Sequence, residues 1–371
     1  MSSSQPTFSV VTGGGTSGHV LAALAVADAL VARGHDRASI HYVGTTRGVE
    51  RRLLPPTGYD HSLLDVVGLQ RSMSMRNVMF LPKLVRSTYQ AVKLIRRLRP
   101  RVLVNVGGYA SFPATVAAMV CRVPIVVVSY DRRPGLVSRL VARRAEACAV
   151  AFDDSTLPRA QLTGAPVRQE VLAIDRRRDR LQAREELGLP NDRFVLAVFG
   201  GSLGAKRLND VTAEVVHTLA DRRDLAVYHI IGERNVPNAA PARDGAEGIM
   251  YRVLGYEDRM PLVYAAADLM MTRAGASTIA ELATVGMPAL VVPWPGAADD
   301  HQVDNARELS DHGAAVLIAE TDLDAARVIE VVTALRADGE KLDAMSAAAA
   351  VIGERHRSGA LVDLIERVAA T

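Results

Sequence analysis

The sequence predicts an α/β protein built from two Rossmann-like, doubly wound domains facing a cleft. Three observations carry this. Apolar, β-branched runs alternate with helical patterns along nearly all of the 371 residues, as the βαβ units of parallel sheets require. The opening grammar of strand, glycine turn and helix in "FSVVTGGGTSGHVLAALAVADAL" returns from Phe194 in "FVLAVFGGSLGAKRLNDVTAEVVHTLA". The length suits two domains, each with its own buried core.

In the first half, strands are expected at 8–11, 39–44, 101–107 and 124–129, where β-branched residues cluster. The helix after the first strand ends at Gly34, a suitable C-cap, and "ATVAAMVCR" reads as another crossover helix. The charged stretch "DRRRDRLQAREELGLPNDR" (175–193) separates the halves. Beyond it, strands are expected at 194–199, 226–232, 251–256, 269–273, 289–294 and 314–319. The expected boundaries are an N-terminal domain over 1–168, a C-terminal domain over 169–357, and a helix within 358–371 able to pack back on the first domain. Ligands of such sheets bind beyond the carboxyl ends of the strands.

The hydrophobic fraction of 49% and charged fraction of 23% are those of a folded soluble protein. A net charge of +3 gives no general case for nucleic acid. Two cysteines, Cys121 and Cys148, make neither a disulfide framework nor a metal cluster and read as buried, reduced thiols. No basic segment followed by an apolar one opens the chain, so no secretory signal is read. No apolar run reaches about 18 residues; the candidate from Ala114 to Val128 is broken by Arg122 and Pro124. A cytoplasmic protein able to lie on a membrane is expected.

Gly13, Gly15 and Gly18 have the G-x-G-x-x-G spacing of a dinucleotide-binding loop. A nicotinamide enzyme also needs a carboxylate at the end of the second strand. Here "SIHYVG" ends in Gly44 and Thr45 with no carboxylate, so the fingerprint is a weak signal for nicotinamide, and which phosphate the loop holds stays open at this point. His19 follows that loop at the start of a helix. It can act as a general base, or it can cap the loop or bind a phosphate without moving a proton.

The most specific stretch is "TRAGASTIAELATVGMPALVVPWPGAADDHQVDNA" (272–306). Arg273 ends a strand, Gly275 turns the backbone, and Ala276, Ser277 and Thr278 open a helix whose free N–H groups attract an anion such as a diphosphate. Glu281, one turn further in, can accept both hydroxyls of a ribose; a solvated helix carboxylate is the plainer alternative. The loop 294–302 carries Asp299, Asp300, His301 and Gln302, polar groups suited to sugar hydroxyls. Adjacent residues rarely converge on one ion, so no metal site is expected.

The motifs "GGGTSGH", "NVGGYAS", "TGAPVR", "FGGSLGAKRLN" and the 272–306 stretch together resemble the MurG family, in the same order over nearly the whole chain. The resemblance implies a GT-B fold and a glycosyltransferase without metal or cofactor. The implied reaction moves N-acetylglucosamine from UDP-N-acetylglucosamine to the 4-hydroxyl of the muramyl sugar of lipid I, giving lipid II with inversion. On the donor side it implies Tyr256 at the uracil, through its backbone, and Glu281 at the ribose. Ser202 and the helix opening at Ala276, Ser277 and Thr278 would hold the diphosphate, with Arg168 in the same site and His301 and Gln302 at the sugar. On the acceptor side it implies the loops holding Gly14, Gly15, Thr16, Ser17 and Gly18, and Gly107, Gly108 and Tyr109, facing the lipid diphosphate. His19 would be the base.

Two departures fall on the acceptor side. Ser17 stands where the family carries glycine. In "VVVSYDRRPGLVSR" (126–139), Val128, Ser129, Tyr130 and Asp131 stand where the family carries His-Glu-x-Asn. Asp131 accepts hydrogen bonds where asparagine also donates, and it is an alternative base. A smaller change is Ala165, in place of a frequent asparagine. The alternatives are therefore a transferase for another lipid acceptor, a weakened cell-wall scaffold, and, least supported, a nicotinamide dehydrogenase.

The stretch 69–101 sets Met73, Met75, Met79, Phe80 and Leu81 beside Arg71, Arg76, Lys83 and Arg86, and runs on through Lys93, Arg96, Arg97, Arg99 and Arg101 without an acidic residue. Such a pattern suits an anionic membrane surface, and equally a core-packed helix with a solvated basic face. It lacks the aromatics and the module of a nucleic-acid binder. Expected partners are UDP-N-acetylglucosamine, lipid I, the cytoplasmic face of the membrane and other cell-wall synthesis proteins.

Overall fold

The computed structural model describes residues 6–66, 80–201, 204–297 and 301–371. The chain divides into two units, one of residues up to Gln169 together with Arg355–Thr371, the other of Glu170–Glu354.

The first unit is built on a seven-stranded sheet: β1 (Ser9–Thr12), β2 (Ile40–Thr45), β3 (Asp60–Leu64), β4 (Val102–Asn105), β5 (Ile125–Ser129), β6 (Ala147–Val150) and β7 (Ala160–Leu162). Their order is β3-β2-β1-β4-β5-β6-β7, all parallel. The central strands read as unbroken apolar runs because both of their faces are covered, and every residue of β1 is buried. On one face lie α3 (Phe80–Leu98), α4 (Phe112–Cys121) and α5 (Leu136–Ala142). Ala91, Ile95, Ala114, Ala117 and Val141 from these helices pack on Val10, Leu103 and Val127. Of the two thiols expected to be buried, only Cys148 in β6 is, and burial pushes its pKa up to about 11. Cys121 closes α4 at the helix end and stays partly exposed.

On the other face lies α1 (Ser17–Ala32), apolar all round and rich in alanine. Its second side is covered by the C-terminal helix, Ala360–Ala369, which also meets β4, β5 and β6. Arg33 pairs with Asp363 at 2.7 Å and His35 with Glu366 at 2.9 Å, fastening the end of the chain to the helix α1.

The second unit repeats the plan. Its strands are β8 (Phe194–Phe199), β9 (Leu225–Ile230), β10 (Arg243–Asp244), β11 (Met250–Leu254), β12 (Leu269–Thr272), β13 (Ala289–Val291) and β14 (Ala315–Leu317). They run in the order β10-β11-β9-β8-β12-β13-β14, with only β10 antiparallel. In each sheet the winding reverses between two neighbours, β1 and β4 in the first, β8 and β12 in the second. Crevices open at the carboxyl ends of such pairs, and the glycine turns 13–18, 107–108, 200–204 and 275 all follow those four strands.

The edge strands β3, β7 and β10 and the inner strand β6 lie outside the pattern that predicts the others. β3 opens on exposed Asp60 and His61, and all three residues of β7 are exposed, so neither shows an apolar run. β6 is made of small residues.

The charged stretch 175–193, inside the expected C-terminal domain, is an integral part of the second unit. Asp175 caps helix α6 (Arg176–Leu187) by accepting from the N–H groups of Arg177 and Arg178, and Gly188 ends it at φ 63°. Arg184, on the buried side of α6, is wholly inaccessible. Its guanidinium donates to the carbonyls of Ala266, Pro190, Asn191 and Arg193 and to Asp268 at 2.8 Å.

Candidate active site

The first group of candidate residues gathers where β1 and β4 end. Gly15 takes φ +93°, Gly107 +93° and Gly108 +80°, conformations that L side chains rarely adopt. The two turns are in backbone contact: a Cβ at Gly108 would overlap the Gly14 carbonyl, and one at Gly15 would overlap the Tyr109 ring. Asn105, buried at the end of β4, sets the second turn by accepting from Gly107 N–H at 2.8 Å while donating to Thr115 and Ser111. Gly14, Gly15, Thr16, Ser17, Gly18, Gly107, Gly108 and Tyr109 are thus one surface rather than two.

Thr16 is the N-cap residue of α1, yet its hydroxyl makes no capping bond; it meets His19 Nδ1 at 2.9 Å instead. The Cδ2–Nε2 edge of His19 lies against Gly107. Tyr130 is buried beside the ring, with centroids 6.3 Å apart at 62°, and its hydroxyl reaches the Gly18 carbonyl at 3.4 Å. The residue in the midst of the departure from the family pattern therefore supports the same helix start. Asp131 follows it, partly exposed, just past the end of β5.

Two buried groups here carry no sequence signature. Tyr42 donates its hydroxyl to the Gly13 carbonyl, and burial, then the Glu50 and Tyr130 charges, holds that phenol well above its ordinary pKa. Glu50 is fully buried below the first turn. Burial, then Glu50, also raises the Tyr109 phenol.

The second group lies where β8 and β12 end. Gly275 precedes α9 (Ala276–Val285) as its N-cap, with no side chain capping the helix, so the N–H groups of Ala276, Ser277 and Thr278 lack intrahelical partners. Glu281 is half-buried one turn on, and its Oε2 accepts the hydroxyl of the buried Tyr264 at 2.7 Å. Arg273 serves the architecture of this end of the sheet, donating to the carbonyls of Val292 and Pro293 and pairing with Glu320.

Tyr256 follows β11 in a loop pinned by its neighbour Glu257, which accepts the Tyr228 hydroxyl and pairs with Arg259 at 3.0 Å. Helix α10 (His301–Ser310) starts with His301, and Gln302 Oε1 accepts the Trp294 N–H at 2.9 Å. Asn305, wholly buried on that helix, ties it to the Ala274 carbonyl. Arg168, partly buried, precedes the junction of the two units. Ser202, Asp299 and Asp300 lie outside the described residues.

Behind the glycine turn 200–204, His229 of β9 bridges Tyr251 and Asn209, and burial lowers its pKa to about 3. Asn209 Oδ1 can only accept, so the proton sits on Nε2 and Nδ1 accepts the Tyr251 hydroxyl. Among the described residues no group of three or more His, Cys, Asp or Glu side chains is placed to hold a metal ion.

Residues 9–150 match the glycosyltransferase family 28 N-terminal domain, and residues 195–361 match its C-terminal domain. A Nocardioides protein called UDP-N-acetylglucosamine–N-acetylmuramyl-(pentapeptide) pyrophosphoryl-undecaprenol N-acetylglucosamine transferase is 39% identical over 96% of this chain and 96% of its own. The protein of that name from Desulforudis audaxviator is 37% identical over 97% and 98%. Among solved structures, MurG of Acinetobacter baumannii superposes with a TM-score of 0.71 at 25% identity, over 99% of this chain and all of the other.

Proposed function

This chain belongs to the MurG family within glycosyltransferase family 28, and from that premise we propose that it transfers N-acetylglucosamine from UDP-N-acetylglucosamine to the 4-hydroxyl of the muramyl sugar of lipid I, giving lipid II. The observation that carries the chemistry is the Thr16–His19 contact at the joined glycine turns.

When His19 Nδ1–H donates to Thr16 Oγ1, Nε2 carries the lone pair and can act as the base; in the other tautomer Nε2 carries a proton and cannot accept one. Nε2 takes the proton of the 4-hydroxyl as its oxygen bonds to the anomeric carbon. The bond from that carbon to the β-phosphate oxygen breaks, and UDP departs with its electron pair. Attack opposite UDP inverts the centre. The N–H groups that open α1 face the lipid diphosphate, and those that open α9 stabilise the charge growing on UDP.

On the donor side, Glu281 receives the ribose hydroxyls while Tyr264 fixes its Oε2. Tyr256 meets the uracil from a loop held by Glu257. Arg168 and Ser202 hold the diphosphate, and His301 and the Gln302 amide meet the sugar. Glu281→Ala should raise the KM for UDP-N-acetylglucosamine tenfold or more, since hydrogen bonds to a charged group are each worth about 1.5–3 kcal/mol. Tyr264→Phe should raise it by a smaller factor with kcat held. Donor kinetics unchanged in both variants would remove the ribose assignment.

A lipid acceptor also calls for contact with the bilayer. No helix among the described residues is long and apolar enough to cross a membrane. Helix α3 instead exposes Val85 (63%) and Tyr89 (60%) beside Arg86 and Lys93, whose ammonium lies 4.8 Å from the Tyr89 ring centre. We place this face on the anionic cytoplasmic leaflet. Residues 69–79, with Arg71, Met73, Met75, Arg76 and Met79, lie outside the described residues, as do the side chains of Phe80 and Leu81. Arg86→Glu with Lys93→Glu should abolish flotation with phosphatidylglycerol vesicles. Undiminished flotation would exclude this surface.

A second reading, a different polyprenyl acceptor, draws on Tyr130 and Asp131. Tyr130 packs beside His19, Asp131 follows it, and neither change touches the residues proposed for the donor.

A further inference from the structure

Glu50 is the least accessible ionisable group of the first unit's site, and no step of the transfer reaction uses it. It begins the short helix α2 (Glu50–Leu53) after β2, and its side chain turns inward under the first glycine turn with no accessible surface. Oε1 accepts the N–H of Gly15 at 3.0 Å and of Thr45 at 3.3 Å. Oε2 is buried without a hydrogen-bond partner among the described residues. A Cβ at Gly14 would overlap Oε1, and one at Gly48 would overlap Oε2, so glycine at both positions leaves the socket the carboxylate fills.

A buried carboxylate is costly wherever packing alone is needed. What this one supplies is a fixed direction for the Gly15 peptide, held at φ +93° immediately before Thr16. Thr16 in turn meets His19 Nδ1. The Gly15 N–H therefore points inward at Glu50, and a phosphate is left to the first turn of α1.

We propose that Glu50 is a positioning residue of the acceptor site: by holding the Gly15 peptide it sets the Thr16–His19 pair and confines the acceptor diphosphate to the start of α1. This rests on the acceptor reading of these turns, and two measurements keep the two separable. In steady-state assays with a short-chain lipid I analogue, Glu50→Ala should lower kcat/KM for the acceptor about 100-fold, in the usual range for a displaced catalytic group. The Kd for UDP should stay within twofold in that variant. Glu50→Gln, which keeps an oxygen for Gly15, should recover most of the loss.

The second measurement needs no acceptor. The nitrogen chemical shifts of His19, assigned with His19→Gln, should report one tautomer in wild type and Glu50→Gln, and a mixture in Glu50→Ala. If Glu50→Ala does not fold, Glu50→Asp, which withdraws the carboxylate by one methylene, takes its place in both measurements. Wild-type acceptor kinetics in the alanine or aspartate variant would overturn the proposal. So would an unchanged His19 tautomer, equal loss of UDP binding, or no recovery by glutamine. Inactivity of the wild type on the analogue would instead strike the acceptor reading, with the His19 shifts still deciding the role of Glu50.

Discussion

Replacing His19 with alanine should lower kcat by a factor of about 10²–10⁴, the range that a positioned general base contributes. The KM for UDP-N-acetylglucosamine should hold, because the residues proposed for the donor, Arg168 apart, lie in the other unit. The imidazole meets Thr16 through Nδ1 and sets its Cδ2–Nε2 edge against Gly107, and the proposed base is Nε2. Thr16→Val should therefore show a milder loss of the same kind, since it frees the tautomer without removing the ring. The measurement is the pH dependence of kcat: the limb owed to the imidazole should vanish in His19→Ala. Survival of activity with that limb intact would transfer the base to Asp131.

Arg184→Met should destabilise the second unit by about 3–5 kcal/mol, the cost of breaking a buried ion pair by removing one partner. The methionine fills much of the volume but leaves the carbonyls of Ala266, Pro190, Asn191 and Arg193 without that donor. Asp268 retains Arg180 at 2.7 Å and the Val195 N–H, which favours the lower end of that range. Urea unfolding followed by a probe in the second unit checks this, with the first unit's transition as an internal reference. A shift below about 1 kcal/mol, the size of an ordinary surface effect, would show that the network contributes no more than one exposed pair.

What the sequence disclosed, and what it withheld, follows from how far apart the interacting residues stand. The inner strands other than β6, whose small residues gave no β-branched run, and the glycine turns were legible because a buried parallel strand is apolar throughout and a phosphate loop announces itself by glycine spacing. The edge strands β3 and β7 were not, because exposed polar residues give them no period. The helix start at Ala276 and the carboxylate one turn later were readable within a single stretch. Tyr264, which fixes that carboxylate, stands 17 residues away in another helix with nothing local to mark it.

Glu50 is a sharper case. Its partner Gly15 lies 35 residues earlier, and the glycines at 44 and 48 that precede it resemble any loop. Arg184 was hidden differently: in a run as charged as 175–193, nothing distinguishes the arginines whose guanidinium groups turn inward, such as Arg184 and Arg176, from those that stay exposed. Tyr130 stood out in the sequence only as part of a departure from the family pattern, while in the structure it closes on His19 and Gly18.

The identity of the acceptor decides the function, and one assay meets it directly. The purified chain, UDP bearing radiolabelled N-acetylglucosamine and a short-chain lipid I analogue should yield labelled lipid II analogue and UDP, with a β-configured new linkage. Intact binding of the donor with no label in the lipid would refute that assignment, and would mark the departure at Ser129, Tyr130 and Asp131 as the sign of a different acceptor.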